Sequence, residues 1–180
     1  MKLLPLMVLC FLGLSPLALK AQLGLYGGGT VQNLGVPGDN GYVFYGGTLG
    51  AYLASGELAI LNVGVDLRAS STRSGGDSLT TGAIGPRVGL NLHIVPLHPY
   101  IEATAGAASL NYKGGPGIGT KFEYQVLGGV DFTILPRIDW RVFELGYGGF
   151  SVPYSSNYHP KTLTTAIVVR LPRVFPLPWH

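Results

Sequence analysis

The chain has 180 residues, with 28 glycines, one cysteine and only 12% charged side chains. That is one domain's length, with about half the usual share of charge. No stretch past the N-terminus approaches about 18 uninterrupted apolar residues, which excludes helical membrane spans there. A glycine-rich, aromatic-bearing, helix-poor composition points to an all-β protein.

The N-terminus reads as a signal peptide over residues 1–21. Lys2 supplies the positive end, Leu3 to Leu19 the apolar stretch, and Ala21 a small residue before Gln22. The alternative is an uncleaved anchor, which the short apolar stretch with Pro5 and Pro16 disfavours. Cys10 leaves with this segment, so the mature chain has neither a disulfide frame nor a thiolate zinc site. Setting Lys2 and Lys20 aside leaves 10 basic and 9 acidic residues. With no Lys/Arg run, nothing in this balance calls for nucleic acid.

Eight runs then show the period of two that marks strands. They cover residues 23–31, 41–54, 57–70, 80–95 and 100–112, two arms within 122–147, and residues 162–172. The clearest is the first arm of 122–147. Phe122, Tyr124, Val126, Val130, Phe132 and Ile134 face one way, and Glu123, Gln125, Asp131 and Thr133 the other. In the second arm Val142 and Phe143 are consecutive and apolar, which predicts a β-bulge there. The connections after runs one, three, five and seven are long and polar (LGVPGDNG, SSTRSGGDSL, KGGPGIGTK, VPYSSNYHPK). Those after runs two, four and six are short (SG, PLHP, LPR). Long external loops alternating with tight turns, on an even strand number, predict an all-β, eight-stranded antiparallel up-and-down transmembrane β-barrel over residues 22–175, with a short tail at 176–180. Glycines within the runs, such as Gly27–Gly29, Gly64, Gly128 and Gly129, make room for larger lumen side chains and permit tight coiling.

Together, the signal peptide, the segments PYIEATAGAA and EYQVLGGVDFTILPRIDWRVFELGY, and the eight alternating strands resemble the small outer-membrane β-barrel proteins, including the opacity-type and OmpA-like membrane domains. The resemblance covers the mature chain as a pattern. Motif-like similarity is confined to runs five to seven. It implies a Gram-negative outer-membrane location, contact with outer-membrane lipid and lipopolysaccharide, insertion by the barrel-assembly machinery, and a porin-like or surface-interaction role in which the external loops meet an extracellular partner. It also implies a C-terminal aromatic insertion signal, for which Phe175 and Trp179 are candidates.

Asp66, Arg68, Arg87, His93, Glu102, Glu123, Asp131, Arg141, Glu144 and Arg170 fall on inward positions. Their signs are mixed, and a barrel of about eight strands is just wide enough for side chains to fill. The expected role is a structural polar network that plugs the lumen of a monomeric, non-enzymatic barrel. The alternatives are a narrow small-solute or ion channel and, less favoured, an outer-membrane lipid-modifying enzyme. A catalytic carboxylate pair needs shifted acidities in a cleft, and Ser155, Ser156 and His159 lack a strand-borne nucleophile–base arrangement. His93, His98, His159 and His180 have no metal-ligand spacing, and GGPGIG at 114–119 is not followed by a helix as a phosphate cradle requires. No cofactor is expected. Tyr42, Tyr100, Phe122, Trp140 and Tyr147 are expected at the membrane interfaces.

Overall fold

A computed structural model describes residues 22–35, 42–54, 60–92, 94–115, 117–150 and 158–171. Residues 1–21, read as a signal peptide, Phe175, the 176–180 tail with Trp179, His93, Ser155 and Ser156 lie outside the described residues. The strands are β1 (Gln22–Asn33), β2 (Val43–Ala54), β3 (Leu61–Ser74), β4 (Asp77–Leu90), β5 (Leu97–Asn111), β6 (Ile118–Leu135), β7 (Ile138–Phe150) and β8 (Lys161–Arg170). Each pairs with its chain neighbours, and β1 closes antiparallel on β8 from Gly24↔Arg170 to Asn33↔Lys161. Closure leaves no edge strand, so the ladders satisfy the backbone internally.

Side-chain polarity is inverted relative to a water-soluble domain. Leu49, Leu67, Ile84, Ile101, Val126, Leu145 and Ile167 are exposed around the whole circumference, while Thr30, Asp66, Arg87, Glu102, Gln125 and Arg141 are buried inside. A continuous apolar belt of this extent is the face a barrel turns to lipid. No described helix is long and apolar enough to cross a membrane.

The start of β1, the end of β8 and the connections β2–β3, β4–β5 and β6–β7 share one end, called here the turn end; the other four junctions form the loop end. Two connections differ from the sequence expectation. SSTRSGGDSL is not a loop: β3 and β4 continue through it and join across Gly75 and Gly76 alone, with φ of 58° and 110°. A two-residue hairpin with both central residues at positive φ matches the strand twist. Its Ser/Thr-rich flanks look loop-like in sequence because both their faces are polar. PLHP is not the turn between β4 and β5. That turn lies at 91–96, and Pro99 sits at the start of β5 opposite Val130, beyond the last β4–β5 pair, Gly89↔Tyr100. A strand's first residues, where one ladder has ended, tolerate a missing N–H.

The bulge falls where the sequence places it. Val130 pairs with Phe143 and Asp131 with Arg141, so Val142 is the extra residue. Without it, Arg141 and Glu144 would point to opposite sides of the barrel wall. With it, both point inward.

Candidate functional site: the barrel lumen

Three layers fill the lumen. At the loop end Leu34, Phe44, Leu79, Ala108, Leu110 and Phe150 form a buried apolar cap, with Tyr158 stacked on Phe150. Below lies a hydroxyl layer, in which Thr30 bonds Thr164 at 2.9 Å and Ser70 bonds Thr81 at 2.8 Å. Below that the long charged side chains meet.

The charged layer is a closed circuit. Arg68 reaches Glu102, and Glu102 accepts from Arg87 Nη1 at 2.7 Å. Arg87 Nη2 reaches Asp131 at 2.9 Å, and Asp131 accepts from Arg141 Nε at 3.0 Å. Arg141 Nη1 reaches Glu144 at 3.0 Å, and Glu144 returns to Arg68 Nη1 at 2.8 Å. Three guanidinium groups thus alternate with three carboxylates around a ring drawn from β3, β4, β5, β6 and β7. Asp66 hangs on the ring, accepting from Arg68 Nε at 3.2 Å and from the Tyr26 hydroxyl at 2.8 Å. No member is more than 9% exposed. Buried charges persist only when paired and hydrogen-bonded, and a closed alternation achieves this with planar guanidinium forks.

Three tyrosines line the ring. The Tyr100 hydroxyl donates to Glu144 at 2.7 Å. Arg87 lies 3.7 Å from the Tyr100 ring centroid and 4.3 Å from that of Tyr52, while Arg141 lies 4.3 Å from Tyr26. Desolvated cation–π contacts of this kind add to the ion pairs. Each tyrosine faces a glycine across the ladder: Tyr26↔Gly50, Tyr52↔Gly24 and Tyr100↔Gly129. A β-carbon at any of these glycines would overlap the ring.

Of the ten inward residues expected from sequence, Asp66, Arg68, Arg87, Glu102, Asp131, Arg141 and Glu144 come together in this layer. Arg170 stands apart at the turn end, 22% exposed, donating to Asp139 at 2.8 Å. There Thr133 donates to Asp139 at 2.7 Å and sits 3.0 Å from His98 Nε2. Glu123 does not join any ion pair among the described residues, although it is only 1% exposed. Sequence reading misses Asp139, whose inward position follows from alternation with Arg141. It also misses Tyr26, Tyr52 and the apolar cap. Tyr100 is a correction: it is 6% exposed inside the lumen and not at a membrane interface. Near a strand end its amphipathic ring reads as interfacial, and only the facing Gly129 reveals the space for it inside. Tyr42, Phe122, Trp140 and Tyr147 are exposed.

Small cavities remain between the described lumen side chains. A cavity of about 60 Å³ at the turn end is lined by Asn62, Arg87, His98 and Asp139, among others. A second, of about 20 Å³, lies in the hydroxyl layer with Arg68 on its wall. Among the described residues no group of three or more His, Cys, Asp or Glu side chains is arranged to hold a metal ion. His159 stacks on Tyr147 with ring centroids 6.0 Å apart. Within the ring every carboxylate accepts from at least one arginine.

No protein-family model matches this chain, and no curated protein does. Solved structures do. Neisserial surface protein A superposes with a TM-score of 0.56 at 17% identity, over 84% of this chain and 97% of that one. A major outer membrane protein from Thermus thermophilus superposes with a TM-score of 0.50 at 10% identity, over 84% and 99%. The outer membrane enzyme PagL is more distant, with a TM-score of 0.48 at 13% identity over 84% and 99%. The chain has the fold of the small outer-membrane β-barrel proteins. At these identities the likeness speaks for architecture, and the function has to come from the lumen and the surface.

Proposed function

We propose that this protein is an outer-membrane barrel with a closed lumen, acting as a structural or surface-interaction protein rather than as a channel or an enzyme. One observation carries the reading: the Arg68–Glu102–Arg87–Asp131–Arg141–Glu144 circuit crosses the lumen and parts the two small cavities. A permeant ion would have to break at least one buried pair, and such pairs are costly to open. The apolar cap blocks the loop end a second time. With the interior occupied, the surfaces left for function are the lipid-facing belt, which would meet outer-membrane lipid and lipopolysaccharide, and the loop end, which would meet an extracellular partner.

Two measurements test this. Expressed with its N-terminal segment, the protein should fractionate with the outer membrane and migrate in a heat-modifiable way in detergent gels. In planar bilayers the purified barrel should be silent; steady unitary conductance would replace this reading with the channel. Membrane insertion has its own probe. Val126 is 51% exposed at the centre of β6, and its neighbour Gln125 is buried. Arginine at Val126 should hinder folding into bilayers by about 2–4 kcal/mol, as for a lipid-facing charge at midplane depth. The same change at Gln125 should cost less, and equal costs would contradict the assignment of faces.

A further inference from the structure

Outside the lumen, the described cations gather at the loop end. Arg73, Lys113, Lys121 and Lys161 lie there, against Asp77 as the one carboxylate outside the lumen among the described residues. Asp77 accepts from the backbone N–H of Lys113 at 2.8 Å. Two of the four cations stand on the lipid side of the wall. Arg73 is exposed beside the buried Thr72, and Lys161 is exposed on the same outer face of β8 as Leu163. Each lies opposite an exposed tyrosine in the ladder, Arg73↔Tyr45 and Lys161↔Tyr147. Neither cation takes part in an ion pair with a described residue. Cations and tyrosines at a membrane interface are ordinary anchors. What sets this face apart is the wall beneath them.

That wall is hollowed into two furrows. One, of about 460 Å³, lies below Arg73 and runs over Gly27, Gly47, Leu49, Ala69, Ser71 and Thr80. The other, of about 350 Å³, lies below Lys161 and runs from Tyr45 over Val31 and Gly29 to Leu163, Thr165 and the bulge residue Val142. Gly29 and Gly47 are cross-strand partners, so the furrows are neighbours on one face. Arg73 on β3 and Lys161 on β8 frame that face, with β2 and β1 between them. Three strand spacings set their backbones about 14 Å apart around the wall. A furrow in a lipid-facing wall takes an acyl chain, and a cation at its upper end takes a lipid phosphate. Ser71 and Thr80, polar on a lipid face, offer donors to the carbonyls that join chains to a headgroup. We propose that this face binds one outer-leaflet lipid carrying two separated phosphates, one at Arg73 and one at Lys161, with acyl chains in the two furrows. Charge complementarity selects this occupant. A lipid with one phosphate leaves one cation unmatched, and a soluble anion leaves both furrows empty. The proposal rests on the outer-membrane placement proposed above.

The test folds the signal-free barrel in a neutral detergent and counts bound lipid by native mass spectrometry. Bisphosphorylated lipid A, monophosphorylated lipid A and phosphatidylethanolamine are offered separately. One bisphosphorylated lipid per barrel should be retained at about fivefold lower concentration than either of the others, the worth of one cation near a lipid phosphate. Arg73→Gln or Lys161→Gln should erase that preference. Lys121→Gln removes the same charge from β6, away from this face, and should leave it unchanged. Gly29→Leu fills the second furrow without disturbing the wall, because a β-carbon there meets nothing within 4 Å. It should weaken retention of both forms of lipid A. Equal retention of the two forms by the parent protein overturns the proposal. So does a preference that survives in the double variant Arg73→Gln with Lys161→Gln. Displacement of the lipid by a soluble sugar bisphosphate at like concentration would assign the cations to a soluble anion. Barrel dimers in place of lipid adducts, lost in Gly29→Leu, would assign the furrows to a second copy of the chain. Either result overturns the proposal as well. Failure of the membrane-barrel reading would look different: the band would not be heat-modifiable, whereas failure of this proposal leaves that shift intact.

Discussion

The two halves of the lumen are lined by opposite chemistry. The turn-side half uses long charged side chains that meet at the centre, each satisfied by two or more neighbours. The loop-side half uses threonines against the wall and then a dry cap of Leu79, Leu110, Phe44 and Phe150. The difference teaches that a narrow barrel need not be polar inside throughout. Charge serves where strands from several directions bring complementary groups to one level. Apolar packing serves where the lumen nears water again and a charged plug would be screened.

The comparison breaks first at Arg141. Arg141→Ala leaves Asp131 and Glu144 each short of a partner and should cost about 3–5 kcal/mol of folding stability in bilayers, measured by urea titration. The double change Arg141→Met with Glu144→Leu should recover only part of that loss, since it replaces one buried pair by apolar groups but leaves Asp131, Arg68 and the Tyr100 hydroxyl each short of a partner. An undiminished loss in the double variant would mean that the ring acts through more than pairing. In the cap, Leu79→Ala should cost about 2–5 kcal/mol through lost contacts and a cavity. It should leave bilayers silent, because the charge ring still crosses the lumen; conductance from Leu79→Ala would make the cap the only seal. The smallest effect is expected at Tyr100→Phe. It removes the hydroxyl donated to Glu144 but keeps the ring beneath Arg87, and should cost about 1–3 kcal/mol. A cost as large as that of Arg141→Ala would place the weight of the layer on its tyrosines.

Much of the architecture is legible in the chain, for a physical reason. Lipid on one side and a filled lumen on the other impose alternation on nearly every residue, so eight strands and their faces can be read off. The Val142–Phe143 doublet announces the bulge because it breaks that alternation, and the break is what turns Glu144 toward Arg68 and Arg141. Harder to read is which inward residues meet. Strands in a barrel are tilted and staggered, so Arg68, Glu102 and Glu144 reach one level through spatial offsets that the spacing along the chain does not record. Glu123 is the counter-example: it alternates inward like the others, yet its level is that of the threonines and not of the arginines. Tyr100 and the SSTRSGGDSL stretch mislead for a simpler reason. An amphipathic ring fits both an interface and a lumen, and a polar run fits both a loop and a hairpin that has risen clear of the lipid.

That hairpin has a practical consequence. Gly75 and Gly76 are the entire connection between β3 and β4, and the strands beneath them stay paired down to the barrel wall. Its outer end is therefore a stiff post. A peptide spliced between Gly75 and Gly76 would be displayed from two hydrogen-bonded strands, its ends held at the spacing of a tight turn, which makes this junction a natural place to mount an affinity tag or epitope on the purified barrel.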